Sequence, residues 1–91
     1  MRVARRYTIR GRVQGVGFRH YAREIARREG VAGWVRNQAD GCVEALVEGE
    51  SDAVARVERA LHQGPRGARV EAVLVEDDLP SGAWGDFAVT S

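Results

Sequence analysis

Hydrophobic and polar positions change period several times along the 91 residues, and each change marks an element. Tyr7, Ile9 and Val13 alternate with Thr8, Arg10 and Arg12, the period-two pattern of a strand with one buried face. From Phe18 the apolar positions become Phe18, Ala22, Ile25 and Ala26, which is helical spacing. Arg27 and Arg28 suit the negative end of that helix's dipole, and Gly30 is placed for a left-handed cap. Residues 31–37 and 42–49 read as a second and a third strand joined through Asp40-Gly41, a strong hairpin signal, with Val43, Ala45 and Val47 toward the core. Ser51 is expected to cap a second helix whose apolar positions are Val54, Val57 and Leu61 and which ends before Gly64-Pro65. Strands over residues 70–76 and around 87–89 complete the chain.

The order β-α-β-β-α-β, with a small extra strand, predicts an α+β fold of the ferredoxin-like, split βαβ kind. One domain spans residues 1–91, with two helices on one face of a mostly antiparallel sheet of four to five strands. Strands one and two are linked through a helix and so run parallel, with strand three between them in the opposite sense. Their C-terminal ends then share one edge of the sheet, about 10 Å apart. Residues distant in sequence are expected to face one site there.

Composition narrows what that site can be. Hydrophobic residues make up 44% of the chain and the net charge is +1, so a preference for anions has to be local rather than global. All 14 basic residues are arginine, which excludes a Schiff-base lysine and a phosphate-loop lysine. Cys42 is the single cysteine, so neither an internal disulfide nor a cysteine-based metal site can form, and a reducing compartment is expected. The N-terminal segment lacks the apolar run of a signal peptide, and no stretch is long and apolar enough to span a membrane. A cytoplasmic location is the default expectation.

The stretch GRVQGVGFRHYAREIAR, residues 11–27, places three glycines within seven residues and an arginine at the start of a helix. Successive amides from Gln14 to Arg19, turned by Gly15 and Gly17 and ending on the first helical turn, suit an anion cradle reinforced by the helix dipole. Arg19 adds a planar fork of donors matched to phosphate or carboxylate oxygens. The pair Gly15-Val16-Gly17 lacks the third glycine of a dinucleotide fingerprint. A phosphate site fits these residues best.

Those residues, followed by Ala26, Gly30, GWVRN over 33–37, Asp40-Gly41, Val43-Glu44 and Gly49, resemble the acylphosphatase family in continuous register. Chain length, element order and the aromatic last strand (DFAVT, 86–90) extend the likeness to the rest of the chain. The resemblance implies hydrolysis of an acyl phosphate to a carboxylate and inorganic phosphate by direct attack of an oriented water, with no metal and no cofactor. It assigns phosphoryl binding to Arg19 and to the amides of Gly15, Val16, Gly17, Phe18 and Arg19, and orientation of the water to Asn37. The partner it implies is a small acyl phosphate, with no nucleic acid and no membrane; a monomer is expected.

Other residues read as structure. His20 and His62 are expected to face solvent, and Cys42 to be a packed or partly exposed thiol. Trp34 is expected to pack within the sheet with a minor role in supporting Asn37, and Glu76, Asp77 and Asp78 to form a solvated strand end. Two alternatives remain. A ferredoxin-like sheet can bind RNA, but that needs stacking aromatics on the central strands, where only Tyr7 is offered. The other is an acylphosphatase-like anion-binding module of a larger hydrogenase-maturation protein, without independent turnover.

Overall fold

The computed structural model describes residues 1–90. Its elements are β1 (Arg2–Arg12), α1 (Phe18–Glu29), β2 (Ala32–Asn37), β3 (Val43–Glu50), α2 (Ser51–Gln63), β4 (Arg69–Asp78) and β5 (Phe87–Val89). The five strands form one sheet in the order β4-β1-β3-β2-β5. All neighbours are antiparallel except β2 and β5. This is the ferredoxin-like arrangement, and β1 and β2 flank β3 as the crossover requires.

Strand alternation sorts the side chains into two faces. Tyr7, Ile9, Val35, Val43, Ala45 and Val47 point toward the helices and meet Phe18, Ala22 and Ala26 of α1 and Val54, Val57 and Leu61 of α2 in one buried cluster. Tyr7 Oη donates to Glu58 Oε1 at 2.9 Å, and Tyr21 Oη donates to the Ala60 carbonyl at 2.9 Å, tying α2 to the sheet and to α1. Burial, with Glu58 as hydrogen-bond acceptor and nearby anion, pushes the Tyr7 phenol far above its ordinary value. The helix α1 ends at Gly30, whose φ is 73°, with the amide of Val31 reaching back to the Ala26 carbonyl.

Beyond shifts of one residue, three element boundaries differ from the sequence expectation. β1 begins at Arg2, because Arg5, on the helix side, finds Glu58 at 3.1 Å; a paired arginine on an inner face interrupts the apolar alternation without ending the strand. β4 runs on through the acidic residues to Asp78, since Asp77 and Asp78 lie beside Arg5 and Arg6 of β1 at 3.6 and 3.5 Å. Ser51 is the first residue of α2 rather than its cap. The preceding Glu50 occupies the cap position without a side-chain bond, while the Ser51 amide donates to the Met1 carbonyl at 2.9 Å. The β1–β3 ladder thus runs straight into the helix, and a neighbouring strand supplies the acceptor side of the junction.

Candidate active site

The loop of residues 13–17 leaves β1 at the sheet edge where β2 also ends. Gly15 and Gly17 have φ of 74° and 78°, left-handed values that residues with a Cβ reach only at a cost. These two turns reverse the chain and deliver it into α1 with Gly17 at the cap position. The Gly17 carbonyl accepts the first helical bond, from Tyr21 at 3.0 Å. Among the described residues, no protein acceptor takes the amides of Gly15, Val16, Gly17, Phe18, Arg19 or His20. The first turn of α1 carries no acidic side chain and no side-chain cap, so the positive end of its dipole is left to an external anion.

A pocket of about 390 Å³ opens over this loop, lined by Val13, Gly15, Gly17, Phe18, Arg19, His20, Asn37 and Val89. Arg19 and Asn37 are thereby brought to one cavity from positions 18 residues apart in sequence. Val13, Phe18 and Val89 supply an apolar wall; Phe18 is buried and Val89 partly so. Among the described residues, no carboxylate lies within ion-pair distance of Arg19. The cation faces the pocket with no ion-pair partner among the described residues.

Gln14 connects the two halves of the site. Its Nε2 donates to the carbonyls of Gln38 at 2.7 Å and of Cys42 at 2.9 Å. The Gln38 amide itself donates to the Cys42 carbonyl at 2.8 Å, closing the loop that follows Asn37. A side chain from the glycine loop thus fixes the end of β2. The sequence reading used only the backbone of Gln14, and nothing in the local pattern signals a contact with residues 24 and 28 positions away.

The side chains around the site take the following positions. The side chain of Val16 does not line the pocket; it packs against the core, so only its backbone can serve an anion. His20 is exposed, but it stands at the pocket wall rather than apart from the site. Trp34 lies on the open face of the sheet, opposite Asn37, because the two are an odd number of residues apart on β2. Its ring sits between Arg6 and Arg36, with guanidinium carbons 5.7 and 5.0 Å from the ring centroid, and so gives Asn37 no direct support. Cys42 is a buried free thiol, raised above its ordinary pKa by burial and by nearby Asp40. Among the described residues, no group of three or more His, Cys, Asp or Glu side chains is placed to hold a metal ion.

Comparison with known proteins decides what kind of site this is. Residues 5–89 match the family model Acylphosphatase. The chain belongs to the acylphosphatase family. A relative named acylphosphatase from Rubrobacter xylanophilus is 54% identical over 84 residues, covering 92% of this chain and 76% of its own. The crystal structure of the acylphosphatase from Bacillus subtilis superimposes with a TM-score of 0.94 at 32% identity, covering 98% of this chain and 99% of that one. Full-length HypF, in a phosphate- and nucleotide-bound form, contains a similar region at a TM-score of 0.87 and 26% identity, but that region is 12% of the HypF chain. The activity is therefore that of an acylphosphatase, hydrolysis of small acyl phosphates. The non-catalytic module is not favoured. No helix is long and apolar enough to cross a membrane.

Proposed function

We propose that this acylphosphatase binds the phosphoryl group of its substrate on the amides of Gly15, Val16, Gly17, Phe18 and Arg19 and on the Arg19 guanidinium, and that Asn37 orients the attacking water. The observation that carries the proposal is the set of loop amides without protein acceptors, opening on a pocket that also receives Arg19 and Asn37. Gly15 and Gly17 are exposed, so these donors are open to a ligand, and an anion with three oxygens offers each of them a charged acceptor.

The reaction suits these groups. A loose phosphoryl-transfer transition state spreads charge over the equatorial oxygens and asks for positioning and charge stabilisation. The side-chain carbonyl of Asn37 accepts a hydrogen bond from the water, directing its oxygen at phosphorus without removing a proton. The new P–O bond forms as the bond from phosphorus to the acyl oxygen breaks. The electron pair stays with the departing carboxylate, and the water's proton passes to phosphate oxygen or solvent. A carboxylate is a good leaving group, so no general acid is required. The loop dipoles are set by the backbone turns at Gly15 and Gly17, and one such preorganised donor is worth about 3–4 kcal/mol.

The reading uses no metal, no cofactor and no nucleic acid. A single-domain cytoplasmic monomer belongs to the same proposal, supported by the lone free cysteine and the small core. The test is hydrolysis of benzoyl phosphate in EDTA by the native protein and by Asn37→Ala. We expect fast turnover by the native protein and a loss of at least about a hundredfold in kcat for the variant, with inorganic phosphate still a competitive inhibitor. Substantial turnover by Asn37→Ala would remove the asparagine from the mechanism.

A further inference from the structure

Beyond the phosphoryl cradle, the pocket continues onto α1 in a way the hydrolysis itself does not need. His20 lines the pocket wall one residue past Arg19, and Arg23 stands over it from the next turn. Arg23 Nη2 is 3.4 Å from both His20 Nδ1 and His20 Nε2. A donor in the ring plane cannot be that close to both nitrogens without colliding with the Cε1–H between them. Arg23 Nη2–H therefore points at the face of the imidazole, and both ring nitrogens keep their in-plane hydrogen-bonding directions free.

The charge around this pair is one-sided. Arg19 and Arg23 are four residues apart and share a helix face, with about 5–6 Å between their Cβ atoms. Among the described residues, neither has a carboxylate within ion-pair distance. A shallow recess adjoining Arg23 is lined by Arg23, Glu24, Arg27 and Arg28, so the surface leading away from the pocket holds three cations to one anion. Of these, Arg27 is engaged, at 3.0 Å from Asp86.

We infer that His20 and Arg23 form an acyl-group subsite, and that this enzyme favours acyl phosphates whose acyl part carries a second anionic group. The inference rests on the proposed phosphoryl site. With phosphorus held against residues 15–19, the acyl group has to leave the cradle along a pocket wall, and His20 is the polar side chain on that wall besides Arg19 and Asn37. A carboxylate one helical turn from the phosphoryl group meets the free edge of Arg23 and a ring N–H of His20. Arg23 acts in two ways, as a counter-charge and as the donor that holds the imidazole from its face.

The experiment compares kcat/KM for 3-carboxybenzoyl phosphate and benzoyl phosphate in the native enzyme, Arg23→Gln, Arg23→Lys and His20→Ala. The meta carboxylate spans about the distance of one turn, and its effect on intrinsic leaving-group reactivity is common to all four proteins. Dividing by the benzoyl phosphate value removes any general loss of activity. We expect the ratio in the native enzyme to exceed that of Arg23→Gln by about two- to fivefold at low ionic strength, as for an exposed ion pair. The lysine variant should retain part of the excess, His20→Ala should lose part of it, and about 0.5 M salt should erase it. An equal ratio in native enzyme and Arg23→Gln would overturn the subsite. Failure of the native enzyme to hydrolyse either compound would instead overturn the phosphoryl site on which it rests.

Discussion

Two arginine clusters, one on the sheet and one on α1, have opposite characters. On the open face, Arg6 and Arg36 flank Trp34 and both reach the buried carboxylate of Glu44, Arg6 at 3.3 Å and Arg36 at 2.6 Å. At the sheet edge, Arg19 and Arg23 have no carboxylate partner among the described residues and face a pocket or a histidine ring. The first cluster has its counter-charge built in and contributes to the fold. The second leaves its counter-charge to be brought by a ligand, as a binding site must. Residue type is the same in both; the difference lies in which elements pack alongside.

The largest test of that contrast is a matched pair of deletions. Arg19→Ala should lower kcat/KM for benzoyl phosphate by more than about a thousandfold, since it removes both a charge and a bidentate donor from the transition state, and should abolish inhibition by inorganic phosphate. Arg36→Ala should leave turnover within about twofold. Its effect should fall on stability, about 1–2 kcal/mol in urea denaturation, because Glu44 stays buried with Arg6 alone. Comparable kinetic losses in the two variants would dissolve the distinction between them.

A smaller effect, expected at Gln14, would sharpen the account of the functional end. Its two bonds to the Gln38 and Cys42 carbonyls fix the β2–β3 loop against the glycine loop. Gln14→Leu preserves bulk but removes both donors. It should cost about 1–2 kcal/mol of stability and reduce kcat roughly tenfold through misplacement of Asn37. Phosphate inhibition should weaken less than kcat, because the cradle amides belong to the other loop. A change in phosphate inhibition as large as that in kcat would show that Gln14 shapes the cradle rather than linking it to Asn37.

The legible and illegible parts of this molecule divide along local and tertiary lines. Element order follows from the alternation at Tyr7 and Ile9, the helical spacing from Phe18 to Ala26 and the hairpin signal at Asp40-Gly41, all contained within a few residues. The meeting of Arg19 and Asn37 follows from topology once that order is known. What stayed hidden depends on partners far along the chain. The first half of β1 was obscured because Arg5 occupies an inner position that Glu58, 53 residues away, makes tenable. The acidic end of β4 is solvated as expected, but its inclusion in the strand was hidden because its partners Arg5 and Arg6 lie more than 70 residues earlier. His20 faces solvent as expected, but its place on the pocket wall becomes visible only when β2 and β5 close the pocket opposite it. The side-chain role of Gln14 and the place of Val89 at the pocket were hidden for the same reason.

Another internally neutralised charge, at Glu48, supplies the mildest test and links the open face to the site. Glu48 is buried on β3. Its Oε1 and Oε2 accept the amides of Ser81 at 3.0 Å and Gly82 at 2.8 Å, and Arg2 donates at 3.0 Å. It holds the connection from β4 to β5, the strand that carries Val89 to the pocket. The Ser81 and Gly82 amides, chiefly, and then Arg2 hold the Glu48 carboxyl below its usual range against the opposing effect of burial. A carboxyl depressed in the folded state binds its proton more weakly there than in the unfolded chain. Its stabilising contribution is therefore complete above the unfolded value, near pH 4.5, and is lost as pH falls through the folded value. Glu48→Gln lacks that titration. Urea denaturation of the two proteins between pH 7 and pH 3 should give curves separated by a constant gap above about pH 5 that narrows on further acidification. Amide exchange at Ser81 and Gly82 should quicken in the variant throughout. Parallel stability curves over the whole range would mean that the carboxylate charge contributes nothing beyond what a neutral acceptor supplies. The open face would then be held by hydrogen-bond geometry at Glu48 and by ion pairing at Glu44 and Asp78.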